Sequence, residues 1–433
     1  MRLRWFGLDV LLRRLVLKQK CLNASVRQHG RKWTFDYPAS ISRMSLAMTD
    51  STPGVPLLDV NRDNAPHRDE FLDALTEVLD SGRFLFGPDV TELENEVAAY
   101  TQTPNAVGCA SGSDALLLAL MALDVKAGDE VIVPSFTFFA SVSCITRLGA
   151  VPVFADICPD TYNIDPESIA SLITEKTAAI IPVHLFGQCA QIDRICEIAS
   201  KHDIPVVEDA AQAIGAAYKD RPAGNWGTAG CFSFYPTKNL GGMGDGGILT
   251  ATDAGFADRL RLFAGHGMRP RYYHQVVGIN SRLDTFQAAV LRVKLRHLDA
   301  AVEARTINAN RYTRLLTEAG LVGEDQLGTP YHDPNARHVW NQYTLRVPGG
   351  RRDALRAHLS ERKIGSEIYY PVPMHQQECF QDIPFRHDGL EHTEAASAEV
   401  LNLPIFPSLT EAEQIRVVDS VASFFQQANR AAA

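Results

Sequence analysis

The sequence has no long apolar run, and no stretch approaches the ~18 consecutive apolar residues of a membrane-spanning helix. Its eight cysteines are scattered, with no C-x-x-C pair and no spacing to histidine that is typical of zinc ligands. These absences argue against a membrane span, a disulfide framework and a metal site. They favour a protein of the reducing cytoplasm.

Positive charge is scarce outside the first fifty residues. Residues 1–50 hold ten Lys or Arg against three Asp or Glu, which leaves 32 basic and 48 acidic residues in the rest of a chain whose net charge is −9. A body this acidic lacks the clustered cations that neutralise phosphates, which argues against nucleic acid as a partner. The apolar share of 45% and the charged share of 21% are ordinary for a globular protein.

The basic N-terminal segment, residues 1–52, is interpreted as an extension outside the fold. Arg13 and Arg14 interrupt the apolar core that a signal peptide needs. Two interpretations remain, a surface-binding amphipathic helix and upstream sequence included by an early start codon. Met44 and Met48 offer later starts, and we favour the second interpretation.

From about residue 105, short apolar runs alternate with helical patterns. Continuous Val- and Ile-rich runs such as "EVIVPS", "VPVFAD", "AAIIPVHL" and "IPVVEDA" indicate strands covered on both faces, which is typical of parallel sheets. With 433 residues, one large domain and a smaller one are expected. The sequence predicts an α/β fold with a three-layer α/β/α large domain and a mostly parallel sheet over 53–295, and a smaller C-terminal α+β domain over 296–433.

A first candidate site is the stretch "CASGSDALLLAL". A strand ends in a turn of small residues and a helix begins at once, so Gly112 and Ser113 lie where backbone N–H groups are unpaired and the helix dipole is positive. This geometry binds a phosphate. The alternative is a plain Ser or Asp helix cap.

A second candidate is Asp209 in "VVEDAAQA", at the carboxyl end of a predicted buried strand, where open α/β sheets place their ligands. A buried carboxylate needs a cationic partner or several donors, and a protonated pyridine nitrogen would serve. Gln212 can reach the same face and hydrogen-bond a ring hydroxyl. The alternative for Asp209 is a helix cap. In "PSFTFFAS", one phenylalanine ring can stack on a flat heterocycle.

The third candidate is Lys238 in "CFSFYPTKNLGGMGDGG", with Ser233 five residues earlier. Taken alone, a lysine in such a loop is most often simply solvated. Together with a phosphate site, a stacking ring and Asp209, all at strand ends, it matches what pyridoxal phosphate requires. The amine binds the aldehyde as a Schiff base, and the carboxylate keeps the ring nitrogen protonated.

Several longer motifs between about residues 56 and 425 resemble the DegT/StrS-type nucleotide-sugar aminotransferases, which are pyridoxal-phosphate enzymes of the aspartate-aminotransferase-like fold type I. The motifs include "GCASGSDALLLALMAL", "VEDAAQAIGA", "FSFYPTKNLGGMGDGG", "GINSRLDTFQAAVL" and "YYPVPMHQQECF". The resemblance implies that Lys238 holds the cofactor covalently and shuttles the proton. It implies that Asp209 pairs with the pyridinium, Gln212 approaches the ring oxygen and Phe138 stacks on the ring.

The same resemblance implies that Gly112, Ser113 and Ser233 bind the cofactor phosphate. Asn280, in "GINSR", is expected to reach the phosphate of the neighbouring subunit, which implies a homodimer with shared sites. Tyr370 and His375 match the motif on the sugar-nucleotide side. A rim histidine without a role is the alternative for His375.

The implied activity is transamination of a nucleotide-linked keto-sugar, with L-glutamate as the expected donor, in amino-sugar or surface-polysaccharide biosynthesis. We slightly prefer a 3-keto sugar. Two alternatives remain. One is a lyase on the same scaffold, which the lysine at position 238 opposes because such relatives carry histidine there. The other is a non-catalytic regulatory relative.

Overall fold

The computed structural model describes residues 53–323 and 326–432, with side chains described as far as residue 427. The expectations for residues 1–52 lie outside the described residues. The helices of the described part are α1 (Val60–Asn64), α2 (Arg68–Ser81), α3 (Pro88–Tyr100), α4 (Gly112–Ala122), α5 (Ala140–Arg147), α6 (Pro166–Leu172), α7 (Ile192–Ser200), α8 (Ala254–Ala264), α9 (Thr285–Glu318), α10 (Arg352–Glu361), α11 (Glu391–Glu399) and α12 (Glu411–Ala432). Short 3₁₀ turns lie at Ala65–His67, Leu185–Gly187, Met374–Gln376 and Glu378–Phe380.

The strands of the described part are mostly short, as expected for buried parallel strands. They are β1 (Asn105–Cys109), β2 (Glu130–Pro134), β3 (Val151–Ala155), β4 (Thr177–Ile180), β5 (Val207–Asp209), β6 (Ala217–Tyr218), β7 (Arg221–Pro222), β8 (Ala229–Ser233), β9 (Gly247–Ala251), β10 (Ala336–Arg337), β11 (Tyr343–Arg346), β12 (Arg386–His387) and β13 (Val400–Leu403).

The main sheet consists of two four-stranded halves. One half has the order β12-β3-β2-β4 with every pair parallel, and the other has the order β5-β8-β9-β1. Parallel bridges from Ile180 to Val206 and from Val183 to Asp209 join the halves into one sheet. Only β9 runs antiparallel to its neighbours, β1 and β8. The predicted α/β fold with a mostly parallel sheet is therefore confirmed.

Two separate apolar cores cover the two faces of this sheet, because buried residues of each strand point alternately to either side. On β1, Ala106 belongs to one core and Val107 to the other. Helices α4, α5 and α8 supply much of the second core. The result is the three-layer arrangement that the Val- and Ile-rich runs predict.

A third apolar core lies in the C-terminal half, where β11 and β13 form an antiparallel pair against α10 and α12. Helix α9 is continuous through 34 residues and contributes to both the first and the third core. The predicted boundary between residues 295 and 296 falls inside this helix, and the division into two domains stays a prediction. None of the helices in the described part of the chain combines the length and apolar character that crossing a membrane requires.

Asp side chains cap the N-termini of helices α6 and α8, as expected for a residue that can accept from unpaired backbone N–H groups. Asp165 caps α6 by accepting a hydrogen bond from the Glu167 N–H at 3.0 Å, and Pro166 occupies the first helical position. Asp253 caps α8 in the same way, with its Oδ1 accepting from the Phe256 N–H at 2.7 Å.

Candidate active site

Segments that follow several parallel strands meet at one edge of the main sheet, as the carboxyl ends of parallel strands must. Strands β1, β2, β5 and β8 all end there, and β9 begins there, since Gly247 pairs with both Cys109 and Ser233. The candidate residues that follow these strands are Gly112 and Ser113, Phe138, Asp209 and Gln212, and Ser233 and Lys238.

Asp209, the last residue of β5, is buried, and among the described residues its carboxylate accepts hydrogen bonds from two donors. The Ser141 Oγ donates to Oδ2 at 2.7 Å, and the Ala211 N–H donates to Oδ1 at 3.2 Å. Burial raises the pKa of Asp209, while the Ser141 and Ala211 donors and the positive charge of Lys238 oppose that rise. A cationic N–H group beside this carboxylate would hold it ionised.

The Lys238 ammonium lies in a desolvated position near Asp209. Burial lowers its pKa to about 8, and the Asp209 charge acts in the opposite direction. Its backbone N–H donates to the Tyr235 carbonyl at 2.9 Å, which fixes the turn after β8. An amine with this pKa is neutral in a large fraction near pH 8, and a neutral amine is the form that attacks an aldehyde.

The phosphate candidates lie against one another at the start of α4. A Cβ added to Gly112 would come within 2.6 Å of the Ser233 Cβ, so this close approach requires glycine. Ser111 caps the helix, its Oγ accepting from the Asp114 N–H at 3.1 Å. The backbone N–H groups of Gly112 and Ser113 have no hydrogen-bond partner in the described part of the chain. They are free to bind an anion beside the Ser233 hydroxyl.

Gln212 connects the sheet edge to the C-terminal half of the chain. Its Oε1 accepts from the Phe186 N–H at 2.7 Å, and its Nε2 donates to the Tyr370 hydroxyl at 3.2 Å. The ring of Phe138 lies 6.1 Å from that of Tyr370, between centroids, and is 56% exposed. A flat ligand over Asp209 would therefore meet an exposed aromatic face.

These residues fit pyridoxal phosphate. The cofactor carries an aldehyde, a protonatable ring nitrogen and a phosphate. The chain offers a depressed-pKa amine, a buried carboxylate with few donors, and a cradle of N–H groups that the missing Cβ of Gly112 keeps open.

His375 lies apart from this group, on the neighbouring strand end. Its ring Nδ1 is 2.8 Å from the Ser135 Oγ, which also accepts from the His375 N–H, and its Nε2 is 3.3 Å from the Glu394 Oε1. Desolvation lowers the pKa of His375. The structure thus links His375 to Ser135, and its role toward a substrate stays a prediction.

Asn280 is exposed, and its side chain makes no hydrogen bond to the described residues. The next residue, Ser281, is buried and accepts from the Ala110 N–H through its Oγ at 3.0 Å. The predicted reach of Asn280 to a neighbouring subunit stays a prediction.

Sequence reasoning missed Ser141 and the pair of His184 and Glu208. Ser141 forms hydrogen bonds with the Thr137 hydroxyl, at 2.9 Å, and with Asp209. The four-residue spacing of Thr137 and Ser141, around the start of α5, was the sequence signal that could have indicated this contact. Glu208 directly precedes Asp209 and is fully buried. Only the acidic pair "ED" inside an apolar run pointed to it.

Glu208 accepts four hydrogen bonds. Its Oε1 accepts from the N–H groups of Trp226 and Gly227, both at 2.7 Å, and its Oε2 accepts from the Gly224 N–H at 2.8 Å and from His184 Nε2 at 2.9 Å. The Ala190 N–H donates to His184 Nδ1, so the proton of the neutral ring lies on Nε2. This carboxylate ties two loops, one with His184 and one with Gly224, Trp226 and Gly227, to the strand that carries Asp209.

His67, Glu70 and His297 bring their ligand atoms within 4.8 Å of one another. The two imidazole rings are stacked, with centroids 3.8 Å apart and planes at 21°. A metal ion lies in the plane of each histidine that binds it, and nearly parallel planes do not meet at one ion. Glu70 also pairs with Arg296 at 3.1 Å, so the cluster is an ion-pair network.

The sequence model of the DegT/DnrJ/EryC1/StrS aminotransferase family matches residues 66–422. A "Pleiotropic regulatory protein" of Geobacillus stearothermophilus is 47% identical over 86% of this chain and 99% of its own. The dTDP-3-amino-3,4,6-trideoxy-alpha-D-glucose transaminase of Streptomyces venezuelae is 42% identical over 88% of this chain and 98% of its own. The crystal structure of S. venezuelae DesV, solved with a ketimine intermediate, superposes with a TM-score of 0.82 at 43% identity, over 86% of this chain and 99% of DesV.

Proposed function

Since the chain belongs to the DegT/DnrJ/EryC1/StrS aminotransferase family, we propose that it transfers an amino group from L-glutamate to a nucleotide-linked keto-sugar. The observation that carries the proposal is the proximity of Lys238, whose pKa burial lowers to about 8, to the buried Asp209 at the ligand edge of the sheet. The S. venezuelae relative is a transaminase whose sugar carries its amine at carbon 3, which supports a 3-keto acceptor here. With such an acceptor, the reaction would belong to amino-sugar biosynthesis in the cytoplasm.

Pyridoxal phosphate supplies an electron sink that stabilises negative charge on the carbon losing its proton. Lys238 would hold its aldehyde, Asp209 its ring nitrogen, and Phe138 would lie against its ring. The N–H groups of Gly112 and Ser113, with the Ser233 hydroxyl, would hold its phosphate.

The residues of the chain then have distinct tasks. Lys238 Nζ would accept a proton from the donor carbon and later deliver one to the acceptor carbon. The Ser141 Oγ and the Ala211 N–H donate to Asp209 and favour its ionised form, which a protonated ring nitrogen beside it would favour further. Gln212 and Tyr370 are hydrogen-bonded to each other at 3.2 Å. They form the wall of the site on the side of the C-terminal half and orient the substrate.

A regulatory role is the second candidate, favoured by the name of the G. stearothermophilus relative. Retention of Lys238, Asp209 and Ser233 in one site opposes a purely non-catalytic role. The lyase alternative is opposed by the lysine at position 238. A Lys238→Ala strain with an unchanged biological phenotype would favour regulation.

The first experiment is the visible spectrum of the purified protein, reconstituted with pyridoxal phosphate, before and after addition of L-glutamate. We expect a yellow protein that loses its colour with L-glutamate and releases 2-oxoglutarate, while D-glutamate leaves the spectrum unchanged. A protein that never becomes yellow would rule out the catalytic proposal. A yellow protein indifferent to L-glutamate would rule out this donor.

A homodimer with shared sites is part of the proposal. It is supported by the exposed Asn280 side chain, which makes no hydrogen bond to the described residues, and by large exposed aromatic side chains, among them Phe86, Tyr272 and Tyr273. Analytical ultracentrifugation would give twice the chain mass of 47.6 kDa if this is correct.

The rate at which the cofactor-free protein captures pyridoxal phosphate should rise with pH to a midpoint near 8. The pKa of Lys238 is lowered to about 8 by burial, so the neutral amine predominates above that pH. Stopped-flow absorbance between pH 6 and 10 measures the profile. Asp209→Asn should shift the midpoint downward, because it removes the charge that raises the pKa of Lys238. A midpoint near 10.5, the ordinary lysine value, would contradict the assignment.

A further inference from the structure

Three segments of the chain meet at His375. Ser135 directly follows β2, His375 lies in the 3₁₀ turn Met374–Gln376, and Glu394 belongs to α11. The His375 side chain is 9% exposed and Ser135 is fully buried, whereas the Glu394 side chain is half-exposed. The Met374 N–H also donates to the Ser135 carbonyl at 2.9 Å. This cluster therefore connects the edge of the main sheet to the C-terminal half of the chain.

The hydrogen bonds of the cluster determine which ring nitrogen of His375 carries the proton. Desolvation lowers the pKa of His375, which favours the neutral ring. The Glu394 carboxylate, 3.3 Å from Nε2, can only accept, so the proton lies on Nε2. Nδ1 is then an acceptor, and the Ser135 hydroxyl donates to it at 2.8 Å. The Ser135 Oγ accepts in turn from the His375 backbone N–H at 3.2 Å.

A serine, a histidine and a carboxylate in a row resemble the triad of a hydrolase, but this cluster cannot work as one. A nucleophilic hydroxyl must reach a substrate, and Ser135 is fully buried. In addition, Ser135 meets the ring at Nδ1, whereas the serine of a triad meets it at Nε2. The hydrogen bond between Ser135 and His375 therefore serves as a connection within the chain.

A second connection of this kind lies at the end of the neighbouring strand. Asp156 follows β3, which pairs with β2, and its carboxylate accepts from the N–H groups of His392 at 3.0 Å and Thr393 at 2.8 Å. Both N–H groups belong to the first turn of α11, where backbone donors are otherwise unpaired. Asp156 thereby holds α11 against the sheet edge and keeps Glu394 within reach of His375 Nε2.

The connection at His375 helps to set the positions of two aromatic rings of the candidate site. Phe138 comes three residues after Ser135, and Tyr370 comes five residues before His375. The centroids of the Phe138 and Tyr370 rings are 6.1 Å apart, and the Tyr370 hydroxyl accepts from Gln212 at 3.2 Å. A shift of the turn that carries His375 would therefore move Tyr370 relative to the rest of the site.

We propose that His375 is a positioning residue, which holds Tyr370 opposite Phe138 through the Ser135 hydroxyl and does not itself contact the substrate. The inference rests on the proposed aminotransferase function, and it gives His375 a task other than the expected contact with the sugar nucleotide. The amine and the carboxylate that carry the chemistry lie outside the cluster. Loss of the connection should therefore weaken binding of cofactor and donor more than it slows the chemical step.

Two substitutions separate the two ring nitrogens of His375. In His375→Asn the amide oxygen lies as many bonds from Cβ as Nδ1 does and can still accept from Ser135. The contact with the half-exposed Glu394 is lost, which costs little. In His375→Gln the amide nitrogen takes the place of Nε2, and no acceptor remains at the Nδ1 position.

The affinity for pyridoxal phosphate is read by absorbance titration of the cofactor-free protein. The L-glutamate half-reaction, followed by stopped flow, gives an apparent Kd and a limiting rate. We expect His375→Gln to raise both Kd values by about 10-fold or more, because groups that bind the ligands are displaced, and to change the limiting rate by much less. His375→Asn should keep both Kd values close to those of the unaltered protein.

Ser135→Ala should reproduce the defect of His375→Gln. Combining the two substitutions should add nothing further, because both remove the same hydrogen bond. Gln376→Leu is the matched control. Gln376 is exposed and donates to the same Glu394 at 3.0 Å, so this variant removes a contact to the outer partner of the cluster and leaves the Ser135 hydrogen bonds in place. It should bind both ligands as the unaltered protein does.

The outcomes separate this inference from the proposed function. The reverse pattern, in which His375→Gln binds normally and His375→Asn does not, would overturn the inference and show that Nε2 contacts a ligand. Equal losses in the two variants, or no loss in either, would overturn it as well. If pyridoxal phosphate binds but L-glutamate causes no spectral change, the proposed donor reaction fails, and the cofactor Kd values still decide the role of His375. A protein that binds no pyridoxal phosphate would end both proposals.

Discussion

Lys238→Ala is expected to lower the rate of amino transfer by about 10⁴-fold or more. The variant loses both the amine that binds the cofactor aldehyde and the group that moves the proton, and each of these contributes orders of magnitude. Single-turnover absorbance with L-glutamate measures the loss. Because the Lys238 ammonium is desolvated, its removal should leave the thermal midpoint of the cofactor-free protein unchanged or higher.

Lys238→Arg provides the control for this prediction. It keeps the positive charge and the length, but a guanidinium stays protonated and neither attacks an aldehyde nor accepts a proton at working pH. We expect it to be as inactive as the alanine variant. Substantial turnover by either variant would show that another group performs the chemistry.

Glu208→Gln is expected to destabilise the fold by about 3 kcal/mol, the largest stability effect we predict for a single side chain. Glu208 accepts from three backbone N–H groups and from His184. The substitution would replace one of the two accepting oxygens by an NH₂ group. That group would point at N–H donors and would find no acceptor for its own hydrogens. Chemical denaturation of the cofactor-free protein measures the change in the free energy of unfolding.

Glu197→Gln is the matched substitution at the surface. Glu197 is exposed and pairs with Lys201 at 2.8 Å, an arrangement that contributes little to stability. We expect its denaturation midpoint to match that of the unaltered protein. Equal midpoints for the two variants would mean that the Glu208 hydrogen bonds are replaced by other partners.

The sheet and its helices follow closely from local sequence. The runs "EVIVPS" and "VPVFAD" become β2 and β3 because β-branched side chains fit a sheet buried on both faces, and Asp165 caps α6 as an Asp before a proline favours. Lys238 and Asp209 could be proposed from sequence because their positions after strands place them at the ligand edge.

The contacts within the site could not be predicted from local sequence. Gln212 and Tyr370 are 158 residues apart, and their hydrogen bond depends on how the C-terminal half packs against the sheet. The Phe186 N–H reaches Gln212 because Phe186 has a left-handed backbone conformation, φ +58°, which a bulky residue rarely adopts and no motif signals. Likewise, nothing in "GILTAT" reveals that β9 runs against its neighbours, since strand direction is set by pairing over long separations.

Helix α9 has a mechanical consequence. It spans 34 residues without a glycine or a proline, a length of about 51 Å. Its first half packs in the first apolar core and its second half packs in the third. The two cores therefore cannot rotate against each other unless this helix bends.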